Sequence, residues 1–279
     1  MSTFLSLDVG NSAVKGGVFT DGVLDRVFHV EVSLNDPGGE AASDTWMRAL
    51  RPHLRDTTVD AVGMASVVPE VVPVACQAVH DLTGAEVEVV DAEMPLPFDL
   101  AYATPHTLGA DRLAAAAAAW LLYGAKGEMQ TSSPSAPSPD KPSGRSVIAV
   151  DAGTAVTYEV IDASGTYRGG AIAAGPVLIQ RTLRSGTAQL PTVPLVFPES
   201  PIGTSTRDAM QSGIMWSFVD SVRGMTKRLC DTLPDEPILL LTGGWSPVLA
   251  EHLDHVDHVA PHLVLEGVRV LVDGQAGSE

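Results

Sequence analysis

Leu7-Asp8-Val9-Gly10-Asn11-Ser12-Ala13-Val14-Lys15 governs the reading of this chain, because a looser copy returns at Val150-Asp151-Ala152-Gly153-Thr154-Ala155-Val156-Thr157. In both stretches an apolar run ends in an aspartate, turns through a glycine, presents a small polar residue and resumes as a second β-prone run. Such a hairpin can hold a phosphate and a cation. Glycine lets backbone N–H groups approach a phosphate, Asn or Thr adds a side-chain hydrogen bond, and the aspartate can hold a metal ion or its waters. A single Asp-X-Gly is found in many ordinary turns. Two copies facing each other would clamp a nucleotide.

Outward from the first copy, Thr3 to Leu7 and Val14 to Phe19 are predicted strands, and the Asp21-Gly22 turn leads into a third, Val23 to Val30. A helix is predicted over Thr45 to Leu54, a strand over Ala61 to Ala65, a helix over Glu70 to Thr83 stopped by Gly84, and a strand over Glu86 to Val90. Outward from the second copy, Ser146 to Val150, Thr157 to Ile161 and Tyr167 to Ala173 repeat the opening meander. Helices over Val177 to Leu183 and from Thr206 to about Leu233 follow. A buried strand, Ile238 to Leu241, then ends in Thr242-Gly243-Gly244. A glycine pair there can admit a ligand or simply form a tight turn. Meander followed by alternating helix and strand describes an α/β fold, a mixed sheet covered by helices, and the repeated opening describes an ancient duplication.

Between the copies, the polar passage from Tyr102 to Arg112 feeds an alanine run through Ala119, which predicts a helix to about Tyr123 stopping near Gly124. Asp111 and Arg112 fall in its first turn. An aspartate there is favoured by the helix dipole, so capping and chemistry are even readings of Asp111. Arginine in a first turn needs an acidic partner or an anionic ligand. Thr131 to Ser143, rich in Ser and Pro, cannot bury a core and is expected to be a solvated insertion. The expected organisation is a first half over 1–125, the insertion over 126–145 and a second half over 146–279.

The 279 residues, 45% of them hydrophobic, suffice for a substantial core, and acidic residues outnumber basic ones 34 to 17. A net charge of −17 disfavours nucleic acid and anionic membranes as partners and serves solubility. Cys76 and Cys230 form no disulfide framework or zinc motif, and Asp8 interrupts the first apolar run too early for a signal peptide or spanning helix. A cytoplasmic protein is expected.

Taken together, these residues resemble the type III pantothenate kinases of the actin, hexokinase and Hsp70-like ATPase superfamily. The resemblance rests on Asp8 to Lys15, Tyr102 with Gly109-Ala110-Asp111-Arg112, and Asp151 to Thr154 with Gly169-Gly170-Ala171-Ile172. Thr187 to Pro191, Ile202 to Thr206 with Ser212-Gly213, and Thr242 to Gly244 extend it. It implies two duplicated ribonuclease H-like half-domains, each a mixed five-stranded sheet flanked by helices, with an interdomain cleft. It implies that Asp8, Val9, Gly10, Asn11, Ser12, Ala13, Val14 and Lys15 bind the phosphates of ATP, that Thr154 touches the nucleotide, and that Asp151 binds a monovalent cation, K⁺ or NH4⁺. Pantothenate would lie against Tyr102, Gly109, Ala110, Asp111, Arg112 and Thr206, with Asp111 as the base. Mg²⁺ would be held by Asp8 through water, and the protein would be a homodimer. The alternative is a non-catalytic binding or transcription-accessory protein on the same scaffold. Two departures stand out: Ala173-Ala174-Gly175-Pro176 lacks the usual proline before the glycine, which would loosen that turn, and Ser205-Thr206 replaces the usual Asn-Thr.

Overall fold

The computed structural model describes residues 1–11, 13–32, 40–55, 57–125 and 144–276. Ser12 and the Pro/Ser-rich stretch 131–143, for which an ATP contact and a solvated loop were expected, lie outside these. By internal contacts the chain divides into two compact units: Met1–Phe98 with Ala103–Ala118 and Leu263–Glu279, and Asp99–Tyr102 with Ala119–His262.

In the first unit, β1 (Thr3–Val9), β2 (Val14–Thr20) and β3 (Val23–Val30) form the expected meander, and β4 (Ala61–Ser66) and β5 (Val87–Val89) add to it in parallel, giving the order β3-β2-β1-β4-β5. Leu5, Leu7 and Val9 are fully buried. Helix α1 (Glu40–Leu54) starts five residues before the expected Thr45, because Ala42 joins Trp46, Leu50 and Leu54 in one buried stripe at four-residue spacing. A 3₁₀ turn, Pro69–Val71, leads into α2 (Val72–Thr83), which Gly84 ends in the left-handed region at φ 76°.

Helix α3 (Ala110–Ala119) carries the alanine run and continues as a π-helical turn, Trp120–Gly124, ending where the glycine was expected to stop it. Its alanines are buried, and a Cβ on Gly267 of α7 (Leu263–Ala276) would come within 1.8 Å of the Ala114 carbonyl oxygen. Alanine here therefore gives close backbone contact as well as helix propensity. Helix α7 also covers the first sheet: Ser6 Oγ donates to the Leu265 carbonyl at 2.9 Å, and the Arg269 guanidinium lies 5.3 Å from the Phe19 ring centre.

The second unit repeats the scheme. Strands β7 (Val147–Ala152), β8 (Ala155–Ile161) and β9 (Thr166–Ala174) form the meander, and β10 (Ile238–Thr242) and β11 (His258–Val259) add in parallel beside β7. Both meanders carry a register irregularity between their second and third strands, at Val18/Phe19 and Val160/Ile161. The sheet has six strands where five were expected. The extra one, β6 (Asp99–Leu100), pairs in parallel with β9, giving the order β11-β10-β7-β8-β9-β6. Helices α4 (Pro176–Gly186), α5 (Thr206–Cys230) and α6 (Ser246–His252) complete the unit, and Phe218, Val219 and Val222 of α5 pack into the core of the second sheet. No helix among the described residues is long and apolar enough to cross a membrane.

Candidate active site

In the first unit, Asp8 stands one residue from the end of β1, opposite Lys15 on β2 and Ala65 on β4. Val9 and Val14 are buried beneath the turn, while Asp8 and Lys15 are half-buried and Asn11 is exposed. Gly10 N–H donates to the Ala13 carbonyl at 3.1 Å, closing the turn. A Cβ on Gly10 would meet Ala13 O at 3.4 Å, an ordinary contact, so packing tolerates a side chain there.

The passage before α3 is built as a chain of short turns. Leu108 N–H donates to Pro105 O at 3.0 Å, and Leu113 N–H donates to Gly109 O at 3.0 Å, opening the helix. Asp111 then lies in the first turn, where its Oδ1 accepts the Arg112 N–H at 2.8 Å. The capping role is therefore real, yet it accompanies a chemical feature. Burial pushes the Asp111 carboxyl up from its ordinary value, and the opposing pull of the Arg112 N–H and guanidinium does not cancel this. Gly109 makes the arrangement possible, since a Cβ there would come within 2.5 Å of Asp111 Oδ1. Ala110 and Arg112 are buried, the latter 7% exposed.

In the second unit, three glycine turns meet at the end of β7. The hairpin closes with Gly153 N–H donating to Ala155 O at 2.9 Å, one residue tighter than its counterpart at Gly10 to Ala13. Gly175 N–H donates to Thr154 O at 3.0 Å, and a Cβ on Gly175 would lie 2.2 Å from Gly153 O. Pro176 takes the first position of α4, where its fixed φ suits the helix. This turn is thus tied firmly without the preceding proline, contrary to the expected loosening. Gly243, at φ 83°, is the third: a Cβ there would lie 2.3 Å from Asp151 Oδ1 and 2.6 Å from Ala152 O. Asp151 is half-buried and Thr154 exposed.

Two further residues lie elsewhere in this unit. Tyr102 follows β6 at the edge of the second sheet, half-buried, its ring 5.9 Å from that of Tyr167. Thr206 is the exposed first residue of α5, capped by Ser205, whose Oγ accepts the Asp208 N–H at 3.2 Å. It lines an apolar groove of about 570 Å³ with Ile179, Leu183, Leu190, Met210 and Ile214. Sequence reading passed over Glu159 and Tyr167, although an acid inside the apolar strand run Val156–Ile161 was a visible signal.

Among the described residues no three His, Cys, Asp or Glu side chains are grouped to hold a metal ion. The Asp151 carboxylate and the Ala152 carbonyl pack closely against Gly243, and that carbonyl accepts the Trp245 N–H at 2.9 Å.

Residues 4–228 match the family model described as Type III pantothenate kinase. A type III pantothenate kinase of Chlorobaculum parvum is 35% identical over 274 residues, covering 96% of this chain and 93% of the relative. Among solved structures, a Baf family transcriptional activator from Campylobacter jejuni superposes with a TM-score of 0.56 at 18% identity over 98% of both chains. An inorganic polyphosphate/ATP-glucomannokinase from an Arthrobacter strain superposes with a TM-score of 0.50 at 14% identity, covering 99% of this chain and 100% of the other. At those identities the likeness is one of fold.

Proposed function

Because this chain belongs to the type III pantothenate kinase family and is a kinase, we propose that it transfers the γ-phosphoryl group of ATP to the primary alcohol of pantothenate, yielding 4′-phosphopantothenate and ADP as the first step of coenzyme A biosynthesis in the cytoplasm. The observation that carries the assignment of roles is the half-buried Asp111 carboxylate, which accepts the Arg112 N–H and is raised by desolvation. A base of raised pKa takes the hydroxyl proton more readily as the oxygen attacks phosphorus. Phosphoryl transfer asks mainly for alignment and for neutralisation of charge. Asp111 aligns the alcohol and accepts its proton, while Arg112 answers the substrate's carboxylate or the developing phosphate charge. Tyr102 and Thr206 complete the pantothenate contacts. Residues 8–15 present backbone N–H groups to the ATP phosphates, and Thr154 adds a hydroxyl. Mg²⁺ at Asp8 and K⁺ or NH4⁺ at Asp151 supply positive charge to those phosphates when bound.

The protein would act as a homodimer. Purified protein given ATP, Mg²⁺, K⁺ and pantothenate should release ADP and 4′-phosphopantothenate in equal amounts, as measured by mass spectrometry. No phosphopantothenate under any cation condition would overturn the proposal.

A further inference from the structure

We infer that Glu159 and Tyr167 are positioning residues that set the ring of Tyr102 for pantothenate, an inference that rests on the proposed reading of Tyr102 as a substrate contact. Glu159 lies in the middle of β8 and is 1% exposed. A carboxylate so placed is costly to bury unless hydrogen-bonded, and the Tyr167 hydroxyl donates to its Oε2 at 2.6 Å. Tyr167, itself fully buried, presents its ring to Tyr102 at an interplanar angle of 64°.

Two backbone features hold Tyr102 against that ring. Strand β6 registers Leu100 opposite Tyr167, and Ala101 N–H donates to Tyr167 O at 3.1 Å, so Tyr102 leaves the sheet beside its aromatic partner. Gly169, at φ 91°, lies beside the ring, where a Cβ would meet Tyr102 Cδ2 and Cε2 in ordinary contact at 3.5 Å. A phenylalanine at 167 over an aliphatic residue at 159 would fill the same volume without burying polar groups. The polar pair instead fixes one orientation of the Tyr167 ring, and through it one orientation of Tyr102.

The test uses the chain's four tyrosines as probes. The full-length protein is labelled with 3-fluorotyrosine, its four ¹⁹F signals are assigned by single Tyr→Phe substitutions, and Tyr167→Phe and Glu159→Val are compared with the parent. In the parent, pantothenate should move the Tyr102 signal. Both variants should shift the Tyr102 signal before any ligand is added. They should also raise the KM for pantothenate by roughly tenfold, with kcat and the KM for ATP changed less than about twofold, the pattern of lost ground-state positioning. Melting curves identify any variant that fails to fold, and Tyr167→Phe, which keeps the ring, then carries the test. An unchanged Tyr102 signal with an unchanged pantothenate KM overturns the inference. If the variants move the Tyr102 signal but pantothenate moves none in the parent, the positioning role stands and the pantothenate reading of Tyr102 falls.

Discussion

Asp111 does two things with one side chain. It caps the first turn of α3 through the Arg112 N–H, and it carries a carboxyl whose ionised form burial disfavours. Asp111→Asn can keep the cap, because the amide oxygen still accepts that N–H, but it cannot take a proton from an alcohol. It should lower kcat by a factor on the order of 10² or more. Stability should move the other way. A carboxyl raised in the folded state binds its proton more tightly there than in the unfolded chain, so its stabilising contribution is lost as pH rises through the folded-state pKa. Asp111→Asn should therefore melt above the parent at pH 7, with the gap closing as pH falls from the raised folded-state value to the ordinary carboxylate value. A melting series across pH reads this directly. Gly109→Ala tests the seat of the same carboxylate. A Cβ 2.5 Å from Oδ1 must displace it, so kcat should fall by roughly tenfold or more while the melting temperature changes little.

Two hairpins, each ending in an Asp-X-Gly turn, were legible as elements because strand alternation and turn glycines are local signals. The extra strand was not. Asp99–Leu100 is too short to show any alternation, and its pairing with β9 is set by residues some 67 positions further on (Asp99 to Thr166). Glu159 stood out as an acid in an apolar run, but its pairing with Tyr167 was hidden, since a hydrogen bond between neighbouring strands has no sequence period. The chemistry of Gly109 to Arg112 was readable as a motif, but the reason for its glycine became visible only once Asp111 folded back over it. The turn at Gly243 belongs to the same scale. Its φ of 83° and the 2.3 Å approach to Asp151 Oδ1 leave no room for a methyl group. On the proposed reading of Asp151, K⁺ should raise the melting temperature of the parent over a choline chloride control, and Gly243→Ala should lose that rise. An equal rise in both proteins would place the cation elsewhere.

At the scale of the molecule, the duplication explains why two sheets share one strand scheme, and the departures from it show where the copies have specialised. The second copy has the tighter hairpin and the additional strand that leads to Tyr102. The first unit takes in Leu263–Glu279 as well as its own early residues. That arrangement has a consequence for synthesis. A ribosome makes β1 to β5 long before residues 263–276, so the face that α7 covers, with the Ser6 hydroxyl that bonds Leu265 and the Gly63 that Val268 packs against, stays open while the whole second unit is translated. Nascent chains therefore pass through a stage with one finished unit and one uncapped sheet, the stage at which a holding chaperone has something to hold. Chains halted at His262 should accumulate on such chaperones or in the pellet, and full-length chains should not, as fractionation of a translation reaction would show. For this protein, the time between making the first strand and sealing it is written into the order of its helices.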